Sequence, residues 1–369
     1  MQFEDCIDKV TYSAKVQRKD FLEAGEFPIV SQEEAFVNGY WNEAADLFRL
    51  SKPVVVFGDH TKVLKYVDFD FVLGADGVKI LAPKDFLVPR YFYYHLQTAK
   101  LDSLGYARHY KLLKELEIAF PYAPEQQRIV AILDEAFDGI AIAKANAEKN
   151  LKNARVIFES HLQSVFASGG AGWAEKSLGE ICTFSSGGTP AKDNSSYWQG
   201  EIPWVSGRDM KSTRLSDSLL HISRSAVDES ATRIAPEGTL LILVRGMGLA
   251  HGAQIAELMV PCAFNQDIRG IHPGSGLIPR YLLFALRDRI NSSKTVMSSA
   301  AHGTLKIDSD GLKSLMIPVP SRAQQENVVT TIDVLSEETQ RLESLYQQKL
   351  TALAELKKSL LHEAFSGKL

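Results

Sequence analysis

The chain contains one segment twice. Residues 118–168 and 317–367 align without a gap at a constant offset of 199 residues. Identical residues recur at nine positions of the two copies, in the pairs Ile118/Ile317, Pro121/Pro320, Gln126/Gln325, Val130/Val329, Asp134/Asp333, Leu151/Leu350, Ser160/Ser359, Leu162/Leu361 and Phe166/Phe365. A repeat of this length predicts that the fold is built from two copies of one unit.

Both copies predict a long helix. Pro124 suits a first helical turn, and Ser321 with Gln324 has the spacing of a capping box. Apolar residues three and four positions apart predict that the helices pair as a coiled coil. The expected interface comprises Leu133, Phe137, Ile140, Leu151, Phe158, Ile332, Leu335, Leu342, Tyr346, Leu353, Leu356 and Leu360. Two amphipathic helices packed on separate cores would show the same periodicity, but the chain between them favours a pair.

A globular segment precedes each helix. Short apolar runs bounded by Gly, Pro and Asp predict strands in residues 1–120. The strand at 240–244 and the helix from Pro279 match the strand at 53–57 and the helix from Pro89. We therefore expect an α/β (α+β) protein with homologous globular domains at 1–120 and 171–318, and helices at 121–170 and 319–369. Connectivity predicts antiparallel helices and a pseudo-two-fold, nearly circular arrangement.

Composition excludes several kinds of protein. Hydrophobic residues make up 45% of the chain and charged residues 23%, which is typical of a globular protein. No apolar run is long enough to cross a bilayer, so we expect a cytoplasmic protein. The net charge of −4 argues against DNA binding by bulk charge. The scattered cysteines Cys6, Cys182 and Cys262 indicate neither disulfides nor a metal site.

The second globule carries several motifs of one family. They are Leu178-Gly179-Glu180-Ile181, Ser186-Gly187-Gly188-Thr189-Pro190, Tyr197-Trp198 with Gly200, Ile202-Pro203-Trp204-Val205 and Asn265-Gln266-Asp267-Ile268. The stretch from Leu315 to Pro320 ahead of Gln324-Gln325-Glu326, and the ending from Ala364 to Leu369, are of the same type. With these motifs the chain resembles the DNA-specificity subunit of Type I restriction–modification systems over essentially its whole length.

The first globule departs from the Gly-Gly-Thr-Pro and Tyr-Trp pattern. It carries instead the stretch from Gly25 to Gln32, Asn38-Gly39-Tyr40 and the stretch from Val55 to Thr61. It is similar to another sequence class of the same recognition domain. The resemblance thus implies two target-recognition domains that read different bases of double-stranded DNA.

The resemblance also implies partners and cofactors. It implies a non-catalytic subunit that assembles with two modification (methyltransferase) subunits, which bring S-adenosylmethionine. Restriction subunits that use ATP and Mg²⁺ would be further members of the complex. The chain itself would hold no cofactor and no metal.

Base reading requires hydrogen-bonding side chains on exposed loops. In the first globule the candidates are Ser31, Gln32, Asn38, Tyr40, Asp59, His60, Lys62, Arg108 and His109. In the second they are Ser186, Thr189, Lys192, Ser206, Arg208, Asp209, Lys211, Arg245, His251, Asn265, Gln266, His302 and Thr304. For each of them, a solvated loop residue or a turn-capping side chain is the alternative interpretation.

Two other classes of function were considered. A methyltransferase acting alone would need an Asn/Asp-Pro-Pro-Tyr/Phe motif, which the sequence lacks, and Asp76 stands one residue too far from Lys79 for the acid-x-lysine pair of nuclease strands. A structural adaptor, in which the helices are the function and the globules bind protein, is the main alternative. The motifs favour the DNA-reading subunit.

Overall fold

In the computed structural model the chain divides into two compact units. One comprises Met1–Lys149 with Tyr346–Leu369, and the other comprises Asn150–Leu345. The structure describes residues 1–11, 15–75, 77–102, 105, 107–168, 172–246, 249, 252–292, 297–299 and 305–369. Two long helices, Ala123–Ser168 and Arg322–Phe365, each begin in one unit and end in the other.

Among the described residues, the first unit contains nine strands and the first part of the helix Ala123–Ser168. The strands are β1 (Ile7–Asp8), β2 (Lys15–Val16), β3 (Phe27–Val30), β4 (Gly39–Trp41), β5 (Leu47–Phe48), β6 (Val54–Gly58), β7 (Leu64–Val67), β8 (Phe71–Gly74) and β9 (Val78–Pro83). The helices are α1 (Pro89–Gln97), α2 (Tyr110–Lys114) and α3 (Ala123–Ser168). One sheet has the order β1-β9-β6-β7, and the other has the order β2-β8-β3-β4 with β5 paired to β8.

The central strand β6 explains why two layers of core form. Its residues alternate between two apolar clusters: Val55 and Phe57 pack towards α1 and α3, whereas Val54 and Val56 pack towards the second sheet. A strand that is buried on both faces has a continuous apolar sequence rather than an alternating one. The run from Val54 to Phe57 therefore becomes the middle of the unit.

The second unit repeats this topology with longer connections. Its strands are β10 (Ala174–Ser177), β11 (Cys182–Ser186), β12 (Ile202–Val205), β13 (Arg214–Leu215), β14 (Leu220–Ile222), β15 (Ile234–Ala235), β16 (Leu240–Leu243), β17 (Ile255–Leu258), β18 (Cys262–Phe264), β19 (Ile268–Pro273), β20 (Met297–Ser299), β21 (Leu305–Ile307) and β22 (Met316–Val319). The helices are α4 (Leu178–Ile181), α5 (Arg224–Glu229), α6 (Pro279–Ser292), α7 (Ser309–Lys313) and α8 (Arg322–Phe365).

Sheet order and register show that the two units are homologous. The larger sheet is β11-β19-β16-β17-β13 and the other is β14-β12-β18-β15. Cys182 of β11 lies opposite Pro273, as Ile7 of β1 lies opposite Pro83. The parallel pair β12 and β18 occupies the place of β3 and β8. The predicted α/β class with two related domains and two long helices is confirmed.

A buried glutamine joins each globule to its helix in the same way. The Gln126 side chain accepts a hydrogen bond from the Val88 amide (2.8 Å) and donates to the carbonyl oxygens of Phe86 and Pro121 (both 2.9 Å). The Gln325 side chain accepts from the Ile278 amide (2.9 Å) and donates to the carbonyl oxygens of Gly276 and Pro320 (both 3.0 Å). We call these two sets of contacts the glutamine joints.

About two helical turns after each glutamine, a repeated aspartate accepts a hydrogen bond from the repeated arginine of the globule's helix. Asp134 accepts from Arg90 Nε (3.0 Å), and Asp333 accepts from Arg280 Nε (2.8 Å). Each guanidinium also lies over an aromatic ring of its own helix, that of Tyr94 or that of Phe284. The identities at offset 199 therefore mark the contacts that attach globule to helix.

Within each unit the two long helices contact each other. In the first unit Arg128 donates to the carbonyl oxygen of Leu369 (2.8 Å), and the Lys357 ammonium lies 4.9 Å from the Phe137 ring centroid. This pairing is antiparallel, because the later residue of α3 meets the earlier residue of α8. In the second unit Arg155 of α3 pairs with Glu343 of α8 (2.6 Å).

The predicted helix interface needs one correction. Leu133, Phe158 and Ile332 are buried, and the remaining members are half-buried, except that Leu356 is 47% exposed. A straight helix drifts relative to a strict heptad pattern, so Leu356 turns away from the partner helix. The domain limits 1–120, 121–170, 171–318 and 319–369 stay a prediction, because each compact unit combines a globule with parts of both helices.

Candidate nucleic-acid interface

The second unit has a cavity of about 680 Å³ where β12, β16 and β18 end, which we call the recess. Its lining combines exposed cations with aromatic, amide and carboxylate side chains. The lining residues are Lys192, Trp198, Trp204, Ser206, Gly207, Arg208, Leu220, Leu243, Arg245, Gly246, Gln254, Asn265 and Asp267. Five of the thirteen candidates predicted for the second globule line this cavity, namely Lys192, Ser206, Arg208, Arg245 and Asn265. Asp209 fixes the turn beside them.

Two tryptophans form a fixed wall of the recess. The Trp198 and Trp204 rings meet edge to face with centroids 5.0 Å apart. Their indole N–H groups donate to the carbonyl oxygens of Ala191 (3.1 Å) and Gly188 (3.0 Å). Because both polar atoms are satisfied within the protein, these rings hold the glycine-rich loop in place and present their apolar surface to the cavity.

The glycine-rich loop packs on the loop that carries Asn265 and Gln266. A Cβ atom at Gly187 would lie 2.1 Å from the carbonyl oxygen of Asn265, so only glycine permits this approach. The Gly188 amide donates to the carbonyl oxygen of Phe264 (2.9 Å), and the Thr189 hydroxyl donates to Gln266 Oε1 (2.5 Å). Two separate sequence motifs are thus brought together at one edge of the recess.

Three cations stand around the recess without an acidic partner. Lys192, Arg208 and Arg245 are exposed, and none of them forms an ion pair with another residue that the structure describes. Unpaired cations on a surface attract phosphate groups, whereas amide and carboxylate side chains read base edges. The recess therefore has the chemistry of a site for a polyanion with hydrogen-bonding bases.

Some predicted residues of this globule have other roles. Asp209 accepts hydrogen bonds from the Ser206 amide and hydroxyl (both 2.8 Å), so these two side chains build a turn. Ser186 accepts a hydrogen bond from Arg269, and Lys211 is exposed on the same loop as Arg208. His251, His302 and Thr304 lie outside the described residues.

In the first unit, three of the predicted reading residues are buried. Ser31, Asp59 and His109 are each 1% exposed, which leaves them no surface for base contact. Asp59 Oδ1 accepts from the Tyr110 amide (2.7 Å), and the Asp59 carbonyl oxygen accepts from the His109 amide (2.8 Å). The prediction of DNA contact is therefore wrong for these three, because all of them lie below the surface, where Asp59 and His109 hold chain segments together.

The other predicted residues of the first unit lie nearer the surface. Gln32 accepts from the His60 amide (3.4 Å), and Lys62 donates to the carbonyl oxygen of Leu101 (3.3 Å). Tyr40 lies in β4, and Arg108 is exposed. For Gln32, Tyr40, His60, Lys62 and Arg108, DNA contact stays a prediction.

Sequence reasoning missed a buried lysine in the first unit. Lys65 is 3% exposed, and its ammonium donates to Asn38 Oδ1 (2.9 Å) and to the carbonyl oxygens of Ala35 and Phe36. Burial lowers the pKa of Lys65 to about 8, and the nearby Glu33 carboxylate opposes this shift. The alternation Leu64 to Val67, in which Lys65 shares the inward face with Val67, was the available signal.

The described residues offer little for metal or thiol chemistry. No group of three His, Cys, Asp or Glu side chains among them could hold a metal ion. Burial raises the pKa of Cys182 to about 12 and that of Cys262 to about 11, so both thiols stay protonated. Among the residues that the structure describes, no helix is both long and apolar enough to cross a membrane.

Solved structures resemble the fold over the whole chain. A chain from a study of complex assembly and conformational transition of the type I restriction–modification system superposes with a TM-score of 0.74 at 18% identity, covering 100% of this chain and 97% of the other. The HsdS subunit from Thermoanaerobacter tengcongensis gives a TM-score of 0.53 at 17% identity, with coverages of 100% and 96%. At these identities the similarity establishes the fold.

Sequence relatives point the same way. The specificity subunit of a Type I restriction enzyme from Escherichia coli is 30% identical over 333 residues, which are 86% of this chain and 81% of the relative. A specificity subunit from Methanocaldococcus jannaschii is 28% identical over 163 residues, 43% of this chain and 37% of that protein. The model of the Type I restriction modification DNA specificity domain matches residues 8–153 and again 171–352. Since one domain model matches both halves and the Escherichia coli relative spans most of the chain, this protein belongs to the family of Type I restriction–modification specificity subunits.

Proposed function

We propose that the chain reads a two-part, non-palindromic DNA target, with each globule reading one half. The family assignment gives a subunit for DNA sequence recognition that works with methyltransferase subunits. The recess carries the proposal for the second half of the target, because three cations that form no ion pair with any described residue surround a cavity with amide and carboxylate side chains. In this proposal Lys192, Arg208 and Arg245 approach the DNA backbone or guanine edges, and Asn265 and Asp267 face the bases.

The different loops of the two globules support a target without symmetry. After equivalent strands, the first globule has Glu33 where the second has Arg208, and His60 where the second has Arg245, judged from strand register. An acidic side chain and a guanidinium cannot favour the same base edge, because the first only accepts and the second only donates hydrogen bonds. One globule therefore reads a different sequence from the other.

Catalysis and cofactors belong to other subunits in this proposal. Two modification subunits bind the chain and supply S-adenosylmethionine, and restriction subunits with ATP and Mg²⁺ join where present. The outer faces of α3 and α8 provide the docking surface for the modification subunits. The complex works in the cytoplasm, where its chromosomal DNA lies.

Arginine substitutions at the recess test the proposal. In the complex with modification subunits, Arg208→Ala and Arg245→Ala are each expected to weaken binding to the DNA sequence that the complex methylates by about tenfold. Each lost phosphate contact also lowers the salt dependence of binding by about one unit of slope. Arg224→Ala serves as the control, because Arg224 is an exposed arginine of the same unit that pairs with Asp228 away from the recess.

Mapping of methylated bases then identifies the half that is read. Duplexes with single substitutions in either half of the target are compared for each variant. Loss of discrimination confined to one half agrees with the proposal. Unchanged affinity and unchanged discrimination in both recess variants would refute the assignment of the recess.

A further inference from the structure

The loop that carries Arg208 is attached at its base within the recess. Residues 206–219, which include the short strand β13, lie between β12 and β14, and we call them the reading loop. Asp209 accepts hydrogen bonds from Ser206 at the start of this loop and from the Leu219 amide (2.8 Å) at its end. One carboxylate thereby ties both limbs of the loop together beside the cavity.

The middle of the reading loop is attached to the long helix α8. Arg214 pairs with Asp333 Oδ2 (2.9 Å), while Arg280 pairs with Asp333 Oδ1 (2.8 Å). Arg280 also donates to the hydroxyl (3.1 Å) and the carbonyl oxygen (3.3 Å) of Thr213. The helix carboxylate of Asp333 thus holds this segment directly through Arg214 and indirectly through Arg280, in addition to the pairing of β13 with β17.

The helix side of this attachment is shielded from water, whereas the Arg214 side chain is 48% exposed. The Asp333 side chain is 18% exposed and that of Arg280 is 8% exposed, so their charges are screened less than those of a surface pair. Glu257, which lies opposite Arg214 in the parallel pairing of β13 and β17, completes the cluster. Burial raises the pKa of Glu257, and Arg280 and Arg214 oppose the rise. Both arginines therefore lie close enough to Glu257 to oppose the effect of its burial.

The first unit attaches its corresponding loop differently. Asp134, the repeat partner of Asp333, binds Arg90 and Tyr94, both of which belong to α1. The segment 31–38 is held instead by Lys65 through Asn38 and two carbonyl oxygens. Only in the second unit does the repeated aspartate bind a residue of a reading loop directly, as judged from the described residues.

We propose that Arg214 and Asp333 are positioning residues for the second half of the target. By fixing the reading loop to α8, they set where Arg208 meets the DNA, and they make that position depend on the helix. The inference rests on the proposed function of the recess. A change in α8 would then alter which bases the second globule accepts without altering those accepted by the first.

The test uses the complex of the full chain with its modification subunits. Arg214→Ala is expected to lower discrimination against single-base substitutions in the second half of the target about fivefold, with discrimination in the first half unchanged. The salt dependence of binding is expected to stay as in the unmodified complex, because Arg214 is not assigned a phosphate contact. Arg155→Ala is the matched control, since Arg155 pairs with Glu343 of the same helix but has no contact with the loop.

A second variant separates positioning from direct DNA contact. Asp333→Asn keeps the shape of the side chain and removes its charge, and it removes no cation that could touch a phosphate. It is expected to reproduce the loss of discrimination seen with Arg214→Ala, and Arg214→Lys is expected to restore part of it. If Arg214→Ala weakens binding to all sequences alike and lowers the salt slope by about one, Arg214 contacts DNA itself and the inference is overturned.

The outcomes for Arg208 and Arg214 separate the two proposals. If Arg208→Ala and Arg245→Ala both leave binding and discrimination unchanged, the proposed function of the recess fails. If Arg208→Ala has its expected effect but Arg214→Ala and Asp333→Asn both behave like Arg155→Ala, the recess stands and the positioning role is refuted.

Discussion

The two units share their joints and differ in their loops. The glutamine joints use the same atoms on the same kinds of partner, with distances that agree within 0.1 Å or so. By contrast, the loops after equivalent strands have opposite electrostatic character, with Glu33 in the first unit and Arg208 in the second. A duplicated chain can therefore keep the contacts that attach a domain to a scaffold while the surface of that domain changes.

The two units also differ at a buried strand position beneath these loops. From the register of β6 with β7 and of β16 with β17, Lys65 corresponds to Ala256. The first unit has a buried ammonium that organises residues 31–38, and the second unit has a methyl group and anchors its loop to Asp333 instead. The two units therefore differ in the buried residues that anchor their loops as well as in the loops themselves.

Removal of the glutamine joints should have the largest effect and should be equal in both units. Gln126→Ala and Gln325→Ala each remove a fully buried side chain that bonds three backbone groups, so each is expected to cost about 3 kcal/mol of unfolding free energy. Urea unfolding of the full chain measures the loss. Gln348→Ala, at an exposed position on α8, is the control and should be nearly neutral. Losses that differ between the two joints by more than about 1 kcal/mol would contradict their equivalence.

A pH dependence should distinguish the first unit from the second. Below pH 8 Lys65 is charged in the folded and unfolded states, and burial of its charge costs the full amount. As pH rises from about 8 towards 10.5, the folded state releases its proton first, so the unfolded state binds more protons and stability rises. Between pH 7 and 10 the Lys65 contribution should increase by about 2 kcal/mol.

Comparison of the unmodified chain with Lys65→Met isolates this contribution. The variant loses the titrating group, so the difference in unfolding free energy between the two proteins should change with pH in the first unit only. The second unit has Ala256 at the corresponding position and serves as an internal reference. The unfolding free energy of the second unit should show no such dependence on pH. Parallel pH profiles for the two proteins would show that Lys65 does not titrate in this range.

The smallest effect is expected at Leu356. Because this side chain is 47% exposed, Leu356→Ala should cost less than about 1 kcal/mol, whereas Leu361→Ala, at a buried position of the same helix, should cost about 3 kcal/mol. Chemical denaturation of both variants measures the two losses of unfolding free energy. Equal losses would restore Leu356 to the helix interface predicted from the heptad spacing.

The sequence by itself determined the repeated architecture and its joints. Residues that recur at a fixed offset, such as Gln126 with Gln325 and Asp134 with Asp333, turned out to make equivalent contacts. This was predictable because both partners of each contact were duplicated together, so the identities survive wherever the same geometry is needed. The motifs of the second globule likewise indicated the family.

Only the tertiary structure decided which polar residues are available to DNA. Asp59 and Arg208 both follow a strand and both look like loop residues in the sequence, yet Asp59 is buried and hydrogen-bonded, whereas Arg208 stands exposed at the recess. The recess is assembled from segments around residues 192, 208, 245 and 265, which lie far apart in the chain. The local sequence pattern predicts the strand and the turn. The burial of a side chain depends instead on which distant segments pack over it, and only the three-dimensional fold sets that packing.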